Sequence, residues 1–589
     1  MAKYSDLICQ YLREDGYTHC FTVTGGNIMH LIGSASNLFT IIPVVNEVAA
    51  GIAVEYFNQT QNNKKAFALV TAGPGLTNIV TAIAGAYLES RELLVIGGQV
   101  KVSDLSNGTV RQKGIQEING IEITKSITKL STLLLEPVNK KKFLEYINIG
   151  ATPRKGPVFL EIPLDVQAKE VKEDEEFLSN NLNKNYPPSP SSNQILQSIE
   201  LIRSAKRPIL LMGAGVDRKT SDELYDYFNR NTIPIMTTWN AIDRIDSSHN
   251  LYFGRPNVWG QRYANILLQQ SDLLVAIGSR LGLQQTGFNW EEFIPNGKII
   301  QIDCDQSELN KGHPKIYLPI QADANQFLAK IIKEDLGSHK EWLEFCNEVK
   351  SLLPLDEKEN NITAEGFISP YNFVYLLSGI CTNNDIIIPC SSGGALTVTM
   401  QSFLQKKEQI IINDKALASM GYGLSGAIGS AISSPDKRVI LTEGDGGFAQ
   451  NLQELATVVA NNLNLKIFLF ENSGYASIRM TQKNYFGGKY VGCDTNTGLG
   501  FPNWDKLFAA YDIATLTISS PEFINDKKFI ELFNNKNCVA FIVKIDPEQT
   551  YFPKISSKIT ADGSMKSNPL HLMSPDLNSE LAKKVIKYL

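Results

Sequence analysis

The sequence predicts an α/β protein of three domains, each a mainly parallel sheet flanked by helices. Three observations carry that expectation. At 589 residues the chain is too long for one hydrophobic core. Two breaks in composition divide it: a charged, then Asn-rich, then Pro/Ser-rich stretch over 169–193, and a looser polar stretch over 354–370. Between the breaks, short continuous apolar runs end in Gly or a polar residue and alternate with longer helical patterns, as strands buried on both faces do.

The predicted boundaries are 1–180 for the first domain, 190–340 for the central one, 360–550 for the third and 551–589 for a C-terminal tail. The strands of the first domain are read from AFALVTAGPG, RELLVIGGQ and GPVFLEIP. Those of the central domain come from RPILLMGAG, SDLLVAIGSR and GKIIQIDCD, and those of the third from RVILTEGDGG and LKIFLFENSG. Ligands of such sheets bind at the carboxyl ends of the strands. The first and third domains share a plan of strand, Gly-rich turn and a helix opening with an Asn (Asn78, Asn451), a weak sign of internal repetition. The tail, with a polar Pro-containing start and a helical end, would suit a lid.

Composition excludes several classes. A net charge of −5 argues against a general nucleic-acid binder, and 43% apolar with 20% charged residues is ordinary for a globular chain. The eight cysteines form no C-x-x-C pair, so the sequence offers neither a zinc site nor a disulfide framework, and reduced thiols are expected. Arg13, Glu14 and Asp15 stand where a signal peptide would continue its apolar segment, and no apolar run of about 18 residues occurs. A cytoplasmic protein with no membrane segment is expected.

The stretch LTEGDGGF places Asp445 among glycines at the end of an apolar run. Gly-rich turns after buried strands cradle phosphates, and a carboxylate there would repel a phosphate unless a cation lay between them. A second strand, LKIFLFENSGY, ends just before Asn472, 27 positions after Asp445, about the span of a βαβ unit. Adjacent strands would bring a carboxylate and an amide oxygen to one edge, which with a backbone carbonyl and diphosphate oxygens make the all-oxygen shell that Mg²⁺ prefers. A lone GDG is an ordinary strand-to-helix turn; the strand context and the spacing favour the metal.

GDGGFAQNLQELATVVANNLNLKIFLFENSGY resembles the thiamine diphosphate signature of acetohydroxyacid synthase-like enzymes. The resemblance implies that Asp445, Asn472 and the carbonyl of Gly474 bind Mg²⁺, with Gly446, Gly447 and Tyr475 beside the cofactor. Glu471 stands where the family often has a second Asn. In the first block, IIPVVNEVAAGIAVEYFNQ is similar to the segment bearing the glutamate that activates the aminopyrimidine, which assigns that role to Glu47; Asn46 replaces a histidine that some members carry. FTVTGGN (Gly25, Gly26), TAGPGLTN (Asn78), PCSSGGA (Gly393, Gly394) and SMGYG, whose Met420 would be the apolar wedge under the cofactor, extend the match. The same resemblance turns Gln99, Gln116 and Lys129 towards substrate.

The central block resembles the family's flavin-binding domain, with Gly213, Gly215, Arg280, Asp303 and Asp323 at FAD-contacting places; Gln284 replaces a second arginine, and no full G-x-G-x-x-G follows a strand. A bound, non-catalytic FAD and an empty vestigial domain are both open. The family acts on 2-oxoacids, so decarboxylation of pyruvate with transfer of the two-carbon unit to a carbonyl acceptor is expected. Synthases of branched-chain amino acids place an acceptor-selecting tryptophan after the metal-binding Asn; ENSGYASIRMTQ puts Thr481 there and Arg479 two residues earlier, facing a substrate carboxylate or a phosphate. That departure favours a ketone or keto-sugar nucleotide acceptor in surface polysaccharide biosynthesis. It gives the chain the look of the subgroup of the yersiniose-pathway flavoprotein and a cyclohexane-1,2-dione hydrolase. Acetolactate formation from two pyruvates, hydrolysis of a 1,2-diketone, and a non-catalytic cofactor-binding subunit are the alternatives. The family's site is shared between subunits, so a homodimer or homotetramer is expected.

Overall fold

The computed structural model describes residues 1–61, 63–171, 187–560 and 563–589. Three parallel sheets form three α/β layers. The first contains β1 (Tyr17–Thr22), β2 (Thr40–Pro43), β3 (Lys65–Val70), β4 (Leu93–Gln99), β5 (Leu130–Leu133) and β6 (Pro157–Pro163), in spatial order β2-β1-β3-β4-β6-β5. The central sheet runs β8-β7-β9-β10-β11 from β7 (Pro208–Met212), β8 (Ile235–Thr237), β9 (Leu273–Ile277), β10 (Lys298–Asp303) and β11 (Leu318–Gln321). The third holds β12 (Ile386–Pro389), β13 (Ile410–Ile411), β14 (Val439–Gly444), β15 (Leu465–Glu471), β16 (Ala514–Ile518) and β17 (Val539–Lys544), ordered β13-β12-β14-β15-β17-β16.

The central strands of each sheet are buried on both faces, and the chain returns through helices between parallel neighbours. β4, LLVIGGQ, and β9, LLVAI, are buried at every position. In strand number within the domain, the first and third sheets have the same order, which gives the repeat read from the sequence a topological basis.

The first and third domains share one core. Its centre is the crossing of α1 (Glu47–Thr60) with α4 (Tyr422–Ser433), after α2 (Pro74–Leu88) and α3 (Gly393–Ser402) in chain order. Small residues permit the approach: a Cβ on Gly429 would fall on the Ala53 carbonyl, and one on Gly426 would stand 2.6 Å from the Tyr56 ring. Between the helices, Arg91 donates to Glu55 Oε1 at 2.6 Å, and Tyr422 donates to Glu55 Oε2 at 3.1 Å. All of these groups are buried, and Arg91 also donates to the Asn413 carbonyl at 2.6 Å, so the buried charges have hydrogen-bond partners besides each other.

Most of the expected first linker, 172–186, lies outside the described residues. Before it, Glu170–Val171 pairs with Ala2–Lys3; after it, Ser191 opens the helix Ser192–Ser204 with a capping box. The tail does not fold as a unit over the first or third sheet. Its helix Ser579–Val585 docks on the central domain, where Leu570 and Val585 join the core of Ile209, Trp342 and Phe345 and Gln270 donates to the Val585 carbonyl at 2.9 Å. Tyr551, its first residue, is buried against Gly394 instead. The eight cysteines are free, and no helix among the described residues is long and apolar enough to cross a membrane.

Candidate active site

Two clusters form at carboxyl edges, one on the third sheet and one on the first. Strands β14 and β15 are adjacent, with Gly444 paired to Phe470, so the next residues of the two strands meet. Asp445 Oδ2 accepts from the backbone N–H of Asn472 at 3.0 Å and of Ser473 at 2.8 Å, while Oδ1 accepts from Gly446 at 2.8 Å. The carboxylate is 1% exposed. Burial pushes its pKa up to about 7, against the three amides, which favour the ionised form. A carboxylate so desolvated calls for a cation.

The surroundings fit a metal-bridged diphosphate. Gly474 is pinned to Asp494 by a bridge, which fixes the orientation of the peptide after Ser473. Gly393 opens α3 at φ +77° with nothing within 4 Å of a would-be Cβ, an open cradle at a helix N-terminus. A Cβ on Gly394 would stand 2.8 Å from the Tyr551 ring; one on Gly447 would stand 2.5 Å from Glu443 Oε1, and the Tyr475 ring covers Gly446. Asp445, Asn472 and Gly474 would thus hold Mg²⁺, with the amides of α3 and the 445–447 turn facing the diphosphate. Met420 lies half-buried in the turn before α4, its sulfur accepting from Gln450 at 3.7 Å.

On the first sheet, Asn46 caps α1 by accepting from Val48, and Glu47 follows as the first helical residue, 7% exposed. Asn78, on the first turns of α2, donates to Glu47 Oε2 at 2.9 Å. Gly73 enters α2 at φ +65°, where a Cβ would meet the Gln116 carbonyl at 2.6 Å, and Gln116 is exposed. Gly25 packs on Thr71, and Gly26 is open. Glu47, Asn78, Gln116, Gly25 and Gly26 therefore occupy one carboxyl edge. The third domain steadies it: buried Glu454 accepts from the backbone N–H of Asn46 at 2.9 Å.

Of two further residues assigned to the substrate, Gln99 ends β4 at this same edge but has its amide engaged within the fold, and Lys129 lies elsewhere. Gln99 is 1% exposed, donating to the Ile118 carbonyl at 3.0 Å and to Glu161 at 3.1 Å while accepting from Val100. Its amide is spent on holding the 116–120 segment, because an unpaired amide at the end of a buried strand would be costly. Lys129 precedes β5 and so sits at the amino edge of the sheet, opposite Glu47, donating to Thr152 at 2.7 Å. Arg479, on α5 (Ala476–Tyr485), is 5% exposed and donates to Asn472 O at 2.8 Å. It therefore lies beside Asn472 and away from open solvent.

The central-domain residues assigned to flavin have internal partners. Asp303 accepts from Arg154 of the first domain at 2.5 Å and from its own segment at Asp305 N, and Asp323 caps the helix Ala324–Ile331. Gly213 and Gly215 press on Gly278, which accounts for both glycines by backbone packing; of the three side chains, Arg280 alone is exposed. These residues supply no feature that demands a dinucleotide. Sequence reasoning missed Glu161, Glu443, Glu454 and Tyr551, whose roles depend on contacts far along the chain.

Comparison with known proteins agrees with this geometry. Residues 2–123 match the N-terminal TPP binding domain of thiamine pyrophosphate enzymes, 195–331 their central domain and 392–543 their C-terminal TPP binding domain. The chain is 28% identical to acetolactate synthase isozyme 1 large subunit of Escherichia coli (strain K12), over 94% of this chain and 95% of that one. It is 30% identical to a probable acetolactate synthase large subunit of Methanococcus aeolicus over 82% of both, and 26% identical to the acetolactate synthase large subunit of Lactococcus lactis subsp. lactis (strain IL1403) over 95% of both. With both halves of a cofactor site at its sheet edges and relatives of this kind along its length, the chain belongs to the thiamine pyrophosphate enzymes of the acetolactate synthase type.

Proposed function

We propose that the protein decarboxylates pyruvate and joins the two-carbon unit to a carbonyl acceptor, with a second pyruvate as that acceptor, forming acetolactate. The observation that carries the reading is the buried Asp445 carboxylate, held by three amides next to Asn472 at the edge of the third sheet. The relatives support the acceptor, since each is named for acetolactate synthesis.

Bound thiamine diphosphate supplies the electron sink for loss of CO₂. The chain's part is to orient and to move protons. Glu47, with one oxygen held by Asn78, presents the other for a proton shared with the aminopyrimidine. Asp445, Asn472 and the Gly474 carbonyl would hold the metal, and the open Gly393 at the start of α3 would admit the diphosphate, with Gly394 beside it packed on Tyr551. Met420 would give the cofactor an apolar contact, and exposed Gln116 would meet the entering substrate.

Glu47 and Asp445 belong to different domains, and no hydrogen bond among the described residues joins their clusters. The reading takes Glu47 from one copy and Asp445 from another, in a homodimer or a pair of dimers. Ile115, 85% exposed beside Gln116, gives an apolar surface for that contact. FAD carries no step in this reading, since Asp303, Asp323, Gly213 and Gly215 have their partners within the fold.

Thr481 favours a second acceptor. It is small and exposed on α5, its hydroxyl donating to Ser477 O at 2.9 Å, and leaves room for a bulkier ketone or keto-sugar nucleotide. Mass analysis of products from labelled pyruvate, thiamine diphosphate and Mg²⁺, with and without a keto-sugar nucleotide, separates the two. Acetolactate in both tubes supports the synthase; labelled sugar in the second alone moves the acceptor; neither product removes the carboligase reading.

A further inference from the structure

We infer that Arg479 is a built-in cation of the diphosphate site, sharing with the divalent metal the task of balancing the cofactor's negative charge. The inference rests on the cofactor reading above. Arg479 is 5% exposed, so its charge is not solvated as that of a surface arginine would be. Among the described residues its guanidinium forms no ion pair. One Nη donates to Asn472 O at 2.8 Å and to Asn472 Oδ1 at 3.3 Å, both neutral acceptors. Its Nε–H is buried with no partner. A buried guanidinium with an unspent donor and no carboxylate is unfavourable unless an anion completes it.

The position says which anion. Arg479 stands on the second turn of α5, and side chains of a helix lean towards its N-terminus, here the 472–475 segment that carries two of the three metal ligands. Its charge acts on Asp445 and on Tyr551, the residues that flank the 445–447 turn and α3. A diphosphate brings more negative charge than one divalent ion neutralises once the Asp445 carboxylate is counted. A planar donor fork beside that metal is suited to a phosphate oxygen. A substrate carboxylate would have to reach the same fork past Asn472, whereas exposed Thr481, two residues on, marks the side of the helix that substrates can reach.

The test is calorimetric titration of thiamine diphosphate into cofactor-free full-length protein, with Mg²⁺ and separately in EDTA, for wild type, Arg479→Met and Arg479→Lys. The expected result is residual wild-type binding in EDTA that Arg479→Met abolishes, an affinity about tenfold weaker than wild type with Mg²⁺, and partial rescue by Arg479→Lys. Thermal melts of both variants check the fold. Three results overturn the inference: unchanged affinity in Arg479→Met under both conditions; tighter Mg²⁺-dependent binding, which would make the guanidinium a competitor of the metal for Asn472; or intact cofactor affinity with a raised KM for pyruvate. Absence of binding by wild type even with Mg²⁺ would instead remove the cofactor reading itself.

Discussion

Asn78 grips Glu47 by a single oxygen: Nδ2 donates to Oε2 at 2.9 Å, between the N-terminal ends of α1 and α2. The carboxylate is oriented without being consumed. Glu47→Gln keeps the volume and the Asn78 contact but removes the proton acceptor. Pyruvate turnover is expected to fall at least about a hundredfold with an unchanged melting temperature. Wild-type turnover by this variant would end the acid–base assignment.

Thr481→Trp fills the exposed face of α5 after the metal-binding Asn. It is expected to shift the ratio of products formed from competing acceptors towards the larger 2-oxoacid, with pyruvate decarboxylation intact. An unchanged ratio in a competition assay would show that Thr481 does not line the acceptor path.

The crossing of α1 and α4 depends on Gly429, where a Cβ would strike the Ala53 carbonyl. Gly429→Ala is expected to cost about 1–3 kcal/mol in urea unfolding. Gly379→Ala, in the helix Pro370–Ile380 with nothing within 4 Å of the new Cβ, is expected to be neutral or to stabilise by up to about 1 kcal/mol. Equal effects would mean that the crossing is not tightly packed.

Glu161 is buried in β6, and desolvation pushes its pKa up to about 8, with Gln99 opposing. The folded form therefore keeps a proton that the unfolded chain loses near its ordinary pKa of 4.5. Its contribution to stability declines as pH rises from about 4.5 to about 8 and is level above that. Glu161→Gln is expected to flatten the melting temperature over this window and to raise it at pH 8. A slope identical to wild type would show that Glu161 does not bind a proton there.

Arg255 is 1% exposed and donates to the Met400 carbonyl at 2.7 Å, to Phe403 O at 3.0 Å and to Gln405 Oε1 at 2.7 Å, closing the C-terminal end of α3 from the central domain. Arg255→Met leaves those acceptors unpaired and is expected to cost about 3 kcal/mol or more. Cofactor affinity should fall too, since α3 carries Gly393 at its other end. Unchanged unfolding in urea would contradict the anchoring role.

The three domains, their parallel sheets and the Asp445–Asn472 pair were legible because they rest on local signals: apolar runs of strand length, Gly-rich turns and the spacing of one βαβ unit. Glu47 was legible because a carboxylate in an apolar helix start needs a partner. Gln99 was legible as the end of a strand, but nothing in GGQV tells that Glu161, on the neighbouring strand, takes its amide. Lys129 was misread for a topological reason: a residue before a strand and one after it face opposite edges, and SITK does not say on which side β5 begins. The tail's docking on the central domain was hidden because it depends on Trp342 and Phe345, more than 200 positions away from the helix they receive.

The strand orders of the first and third sheets coincide, and so do the places of their helices. α1 and α4 each follow the second strand of their sheet, and they cross each other at close range, so the two domains meet through equivalent parts, as two copies of one protein would. Each half carries its own buried acid at a carboxyl edge, Glu47 in the first and Asp445 in the third, so a side-chain change at one edge leaves the hydrogen bonds of the other in place.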